Sequence, residues 1–169
     1  MPHLLPLRSV KLSKFISTFF YLGFLRPAPG TWGSIAAVIL AYMILITIGF
    51  SAFCFILFLT ILIGFWSTKN YTEKNSDKSD PSEVVIDEVI GQWIAILPLG
   101  YMLNFEAFLS EEFWFVWLWA FVSFRFFDII KLGLIGWADN LEGAMGVLLD
   151  DILAGMAAGV TVAVLVLLI

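Results

Sequence analysis

The stretch Asp80–Gly91, DPSEVVIDEVIG, carries four carboxylates in nine residues, Asp80, Glu83, Asp87 and Glu88, between two long apolar segments. Bare carboxylates are unfavourable at a membrane boundary unless cations or water offset them. Asp80 has the side chain of a helix N-cap, and Pro81 suits a first helical position. A helix running on through Val84–Leu97 would carry Asp87 and Glu88 in its first turns. Gly91, one turn after Asp87, leaves room there for a partner helix. The plainer alternative is a solvated loop followed by a capped helix. Acids in membrane segments are functional by default, which favours a site.

The whole chain has the same greasy character. It is 61% apolar and 14% charged over 169 residues, with a mean hydropathy of +0.97. Soluble domains are about 45–50% apolar and about 25% charged. The expected class is therefore an all-α polytopic membrane bundle, and the length allows one membrane-embedded domain, 1–169. A net charge of −5 gives no reason to expect nucleic acid. Cys54, the only cysteine, lies in an apolar run and offers neither a disulfide framework nor a zinc site.

Residues 1–28 read as a basic, amphipathic entry, with Leu12, Phe15, Ile16, Phe19 and Phe20 at helical spacing between Lys11 and Lys14. That pattern predicts a helix on the membrane surface or under the bundle. No small-residue cleavage site follows, so the segment is expected to be retained. Two prolines and two glycines between Arg26 and Ser34 interrupt it, and Thr31 or Ser34 is the expected cap of the next helix. The 32 uncharged residues Ile35–Trp66 would make one helix of about 48 Å, too long for a hydrocarbon core of about 30 Å. A turn at Ile48–Ser51 splits them into helices near 33–48 and 51–68. Polar residues fill 69–83. Further helices are expected at 84–103, kinked or ended by Pro98, at 113–130, and at 145–169, with a loop over 131–144. The total is about five membrane helices.

With the helices alternating in this way, all nine basic residues fall on one side, and loops 49–51 and 104–112 opposite them have none. The positive-inside rule makes the basic side cytoplasmic. The same side collects Thr31, Asp80, Asp87, Glu88, Arg125, Asp128, Lys131, Asp150 and Asp151. Arg125 and Asp128 share a helix face at i, i+3, with Lys131 about a turn further on. Asp150 and Asp151 are adjacent and so point about 100° apart, amid small residues that allow close helix approach. Asp80, Asp87, Glu88, Asp150 and Asp151 offer hard oxygen ligands with no His or Cys, which matches Mg²⁺. Asp128 is a possible sixth. Arg125 and Lys131 are the cations to grip a phosphate. Thr31 and Ser34, at a helix start able to present backbone amides to an anion, join them as candidate substrate-binding residues. Metal-assisted phosphoryl chemistry on a lipid headgroup follows, with Asp87, Glu88, Arg125, Asp128, Lys131, Asp150 and Asp151 as candidate catalytic residues. A membrane-end salt bridge remains the plainer reading of Arg125–Asp128. The competing function is a small divalent-cation or proton-coupled transporter. Clustering of the acids at one face, with no polar relay beyond, argues against it.

Four blocks then resemble one family: PGTWGS at 29–34, DPSEVVIDEVIGQ at 80–92, FRFFDIIK at 124–131 and MGVLLDDILAG at 145–155. Their order and spacing over 29–155 are similar to phosphatidylglycerophosphatase A, a bacterial membrane enzyme. The resemblance implies Mg²⁺-dependent removal of the terminal phosphate of phosphatidylglycerophosphate at the inner face of the cytoplasmic membrane, as a step in phospholipid biosynthesis. One departure stands out. The family usually has Lys-Pro where this chain has Lys131-Leu132-Gly133, so a helix stop is lost and Gly133 only partly replaces it. Glu142 stands where many relatives are expected to be more basic or glycine-rich.

Overall fold

The computed structural model describes residues 7–73, 82–102 and 114–169, the side chains from residue 11 onward, and it is helical throughout. Helix α1 (Leu7–Ser17) leads through a 3₁₀ turn (Leu22–Phe24) to α2 (Pro29–Thr47) and α3 (Phe50–Thr72). Then follow α4 (Ile86–Met102), α5 (Trp114–Ile130), a short α6 (Leu134–Asp139) and α7 (Ala144–Leu168). Helices α2, α3 and α7 are long and apolar enough to cross a membrane. Helices α4 and α5, of 17 residues each, complete the bundle at about 26 Å apiece.

The acid-bearing helix α4 is the axis. Eleven of its 17 residues are buried, and its polar side chains tie it to its neighbours. Trp93 Nε1 donates to the Ala37 carbonyl of α2 at 2.8 Å, and Gln92 Nε2 donates to the Ala120 carbonyl of α5 at 3.2 Å. The Trp93 ring also meets Phe53 of α3, centroids 5.6 Å apart. Against α7 the contact is backbone on backbone. A methyl group added at Gly155 would stand 2.3 Å from the Gly91 carbonyl oxygen, and one at Gly91 would stand 2.5 Å from that of Asp151. Either alanine overpacks the seam, which typically costs about 1–3 kcal/mol. Glycine at both places is what brings the acids of α4 beside those of α7.

Several boundaries differ from expectation. Helix α2 starts at Pro29 with Ala28 as N-cap, so Thr31 and Ser34 lie inside the helix and cap nothing. Ser34 is fully buried, and its hydroxyl donates to the Gly30 carbonyl at 2.9 Å. Helix α4 begins at Ile86; Asp80 and Pro81, the expected cap and first helical position, lie outside the described residues. Segment 82–85 is a turn and an irregular stretch tied down by tertiary bonds. The Val85 amide donates to the Ser17 carbonyl at 2.9 Å, and the Tyr71 hydroxyl donates to Glu83 at 3.0 Å. Gly23 packs so closely that a Cβ there would lie 1.9 Å from the Glu83 carbonyl oxygen. Helix α1 ends at Ser17, so Phe19 and Phe20 leave its face, the first buried and the second exposed. Helix α4 continues past Pro98, and the expected 131–144 loop contains α6. The turn before α3 falls where it was expected, at Gly49 with φ +88°.

Candidate active site

At the end of the bundle where α2, α4 and α7 begin and α5 ends lies a polar cavity of about 470 Å³. Seven carboxylates line it: Asp87, Glu88, Asp128, Asp139, Glu142, Asp150 and Asp151. Two cations, Lys131 in the lining and Arg125 beside it, are set against them. Excess negative charge of that size repels a phosphate unless further cations enter.

Within this set, Asp87, Glu88 and Asp151 form the tightest group. One oxygen from each lies within 4.8 Å of the others. Asp87 turns its Oδ1 back to the Glu88 amide, 3.0 Å away, which orients it at the helix start. Glu88 Oε2 and Asp151 Oδ1 are buried without a hydrogen-bond partner among the described residues. Buried carboxylate oxygens are normally partnered, so two orphans in one cluster are placed where they could hold a cation. The donors are all oxygen, and the chemistry fits a hard divalent ion.

The cations are held by other acids. Arg125 Nη1 lies 2.6 Å from Asp128 Oδ2 and 3.9 Å from Glu88 Oε1. The shorter approach lacks the angle of a hydrogen bond, and both Nη1 and Nε remain without one among the described residues. The guanidinium therefore keeps donors to offer. Lys131 has φ +52° and Gly133 φ +57°, a sharp turn that swings the Lys131 ammonium into the cavity. There it bonds Asp150 Oδ2 at 2.8 Å and Asp139. Burial pulls its pKa down, but the two carboxylates outweigh burial and hold it above the ordinary lysine value. Lys131 thus stays charged throughout the neutral range. Gly30, at the start of α2, lets Glu88 and Arg125 approach; a Cβ there would stand 2.0 Å from Glu88 Oε1 and 3.1 Å from Arg125 Nη1.

The structure thus gathers Asp87, Glu88, Arg125, Asp128, Lys131, Asp150 and Asp151 around one cavity. It separates the two neighbouring aspartates by role: Asp151 faces Asp87 and Glu88, whereas Asp150 faces Lys131. Thr31 and Ser34 do not line the cavity. Asp80 lies outside the described residues. Sequence reasoning missed Asp139, Gly30 and the placement of Glu142 in the wall. The signal for Asp139 was an acid in WADN, 137–140, shortly after a lysine that needed a partner.

A family model described as Phosphatidylglycerophosphatase A matches residues 15–166. A Haemophilus influenzae protein named phosphatidylglycerophosphatase A is 32% identical over 164 residues, 93% of this chain and 92% of that protein. A Bacteroides thetaiotaomicron protein provisionally named phosphatidylinositol-3-phosphatase is 32% identical over 157 residues, 90% of this chain and 92% of that protein. An Escherichia coli protein named phosphatidylglycerophosphatase A is 33% identical over 132 residues, 76% of this chain and 68% of that protein. No solved structure matches the chain.

Proposed function

The chain belongs to the phosphatidylglycerophosphatase A family, and from that premise we propose how its cavity works as a lipid phosphatase. The enzyme removes the terminal phosphate of phosphatidylglycerophosphate, with Mg²⁺ held by Asp87, Glu88 and Asp151. The observation that carries this reading is the pair of unpartnered buried oxygens on Glu88 and Asp151, beside a guanidinium with donors to spare. When bound, the ion supplies the charge that admits a phosphate and draws electron density from it. Arg125 and Lys131 bond the phosphate oxygens and take up charge as the bond to the glycerol oxygen breaks. Water attacks phosphorus in line as the bond to the glycerol oxygen breaks. Its proton passes to a carboxylate, the only kind of base lining the cavity among the described residues, and from there to the departing glycerol oxygen. Lys131, fixed between Asp139 and Asp150, donates from one direction, and Arg125, beside Asp128, from another.

Substrate identity is tested by phosphate release from purified protein with a panel of phosphatidylglycerophosphate, phosphatidate and phosphatidylinositol 3-phosphate. The Bacteroides relative is the reason for including the last. Phosphatidylglycerophosphate is expected to be hydrolysed fastest; faster release from either of the others overturns the assignment.

The cavity is proposed to face the cytoplasm of a bacterial inner membrane, because all nine basic residues are assigned to its side. A cysteine placed at Ser110 in a Cys54→Ser background is expected to react with an impermeant thiol reagent from outside the cell. Reaction only from the cytoplasmic side reverses the topology.

A further inference from the structure

A phospholipid substrate must leave the polar cavity sideways, because its acyl chains belong in the bilayer. Two apolar grooves flank α5. One, of about 260 Å³, runs between α2 and α5 and is lined by Ile35, Val38, Ile39, Trp117, Leu118 and Phe121. The other, of about 280 Å³, lies on the α7 side and includes Val122, Phe126 and Thr161. Resting on the lipid-phosphatase reading, we infer that the α2–α5 groove is the acyl-chain site of the substrate.

The α2–α5 groove is continuous with the cavity at the point where α2 meets α5. Phe121 lies one helical turn before Arg125, and Ile35 lies five residues beyond Gly30. Gly30 and Arg125 are the points at which α2 and α5 meet beside the Glu88 carboxylate. At about 1.5 Å per residue, the groove therefore starts roughly 6–8 Å below the headgroup and continues to roughly 12–14 Å. Its far end is closed by Tyr42 of α2 against Trp117, edge to face with centroids 5.5 Å apart. Between those ends α2 and α5 touch sparsely, and Ile39 and Leu118 are exposed. The lining is wholly apolar, as a hydrocarbon chain requires. The α7-side groove also reaches the level of the cavity, with Phe126 and Phe127 next to Arg125 and Asp128 on α5, and the test below separates the two. Phe124, Ile135, Ala154 and Ala158 form a buried apolar cluster beside it, with Phe127 packed on them.

The test compares kcat/KM for dipalmitoyl and dibutyryl phosphatidylglycerophosphate in mixed micelles. Val38→Phe and Leu118→Trp, which fill the groove, are expected to lower the dipalmitoyl-to-dibutyryl ratio by at least ~10-fold, the scale of steric discrimination in an apolar slot. Val122→Trp, on the other side of α5, is expected to leave the ratio at its native value. An unchanged ratio in the first two variants, or an equal fall in the third, overturns the inference. Cross-linking to the native protein keeps the question open to test if the variants fail to insert. A substrate lipid bearing a mid-chain diazirine is expected to label α2 and α5 at the groove residues, with unlabelled lipid competing. Labelling confined to the α7 side contradicts the inference. Native protein that releases no phosphate from either lipid defeats the functional reading instead, and the cross-link alone then decides the groove.

Discussion

Asp151→Asn is expected to insert and fold, to lose at least ~100-fold in phosphate release, and to unfold at a higher temperature than the native protein when divalent ions are absent. The rate loss is the scale seen when one charge-stabilising group is removed from a site. The stability gain follows from electrostatics. Asp151, Asp87 and Glu88 bring oxygens within 4.8 Å of one another, and Asp151 is buried with Oδ1 unpartnered. Removing one of three close negative charges relieves repulsion, and the new amide can donate to its neighbours. Relief of about 1 kcal/mol moves the midpoint by about 2–4 °C in a chain of this size. With Mg²⁺ present the order should invert, because the native protein alone gains from binding. Thermal unfolding in detergent, with and without the ion, checks both signs. A variant less stable than native in both conditions would show Asp151 to be a packing residue.

Arg125→Lys is expected to be nearly as poor as Arg125→Ala, each about 100-fold below native in kcat/KM. Arg125 holds Asp128 through one nitrogen while its Nε remains unbonded. A planar fork can keep that carboxylate and still present further donors to a phosphate; an ammonium is a single point of charge. Lysine can therefore satisfy Asp128 or the phosphate but not both in the same geometry. Recovery of most of the rate by lysine would mean that position 125 supplies charge alone. The two substitutions, assayed side by side on the same lipid, settle the point.

How far these roles were legible in the sequence depended on whether the determining contacts were local. Long uncharged runs and the glycine at position 49 located α2, α3 and α7, because length and a positive-φ turn are properties of the segment itself. The start of α4 was not local. Ser17 and Tyr71 tie down Val85 and Glu83 just before the helix, contacts that no local signal announces. Thr31 was misplaced as a cap although Pro29 already marks the first helical position, which puts Thr31 two residues inside. Adjacent aspartates were bound to diverge, but which one turns to the α4 acids depends on the glycine seam between α4 and α7. Asp139 escaped notice because it reaches Lys131 through a left-handed turn and a six-residue helix, which no spacing rule connects.

The central claim is that hydrolysis requires a divalent ion held by Asp87, Glu88 and Asp151. Its most direct test strips purified protein with a chelator, supplies phosphatidylglycerophosphate in mixed micelles, and follows phosphate release as Mg²⁺ is returned. The account predicts almost no release from the stripped enzyme and saturable recovery on adding Mg²⁺, with Zn²⁺ not required. Full activity after exhaustive chelation would contradict it.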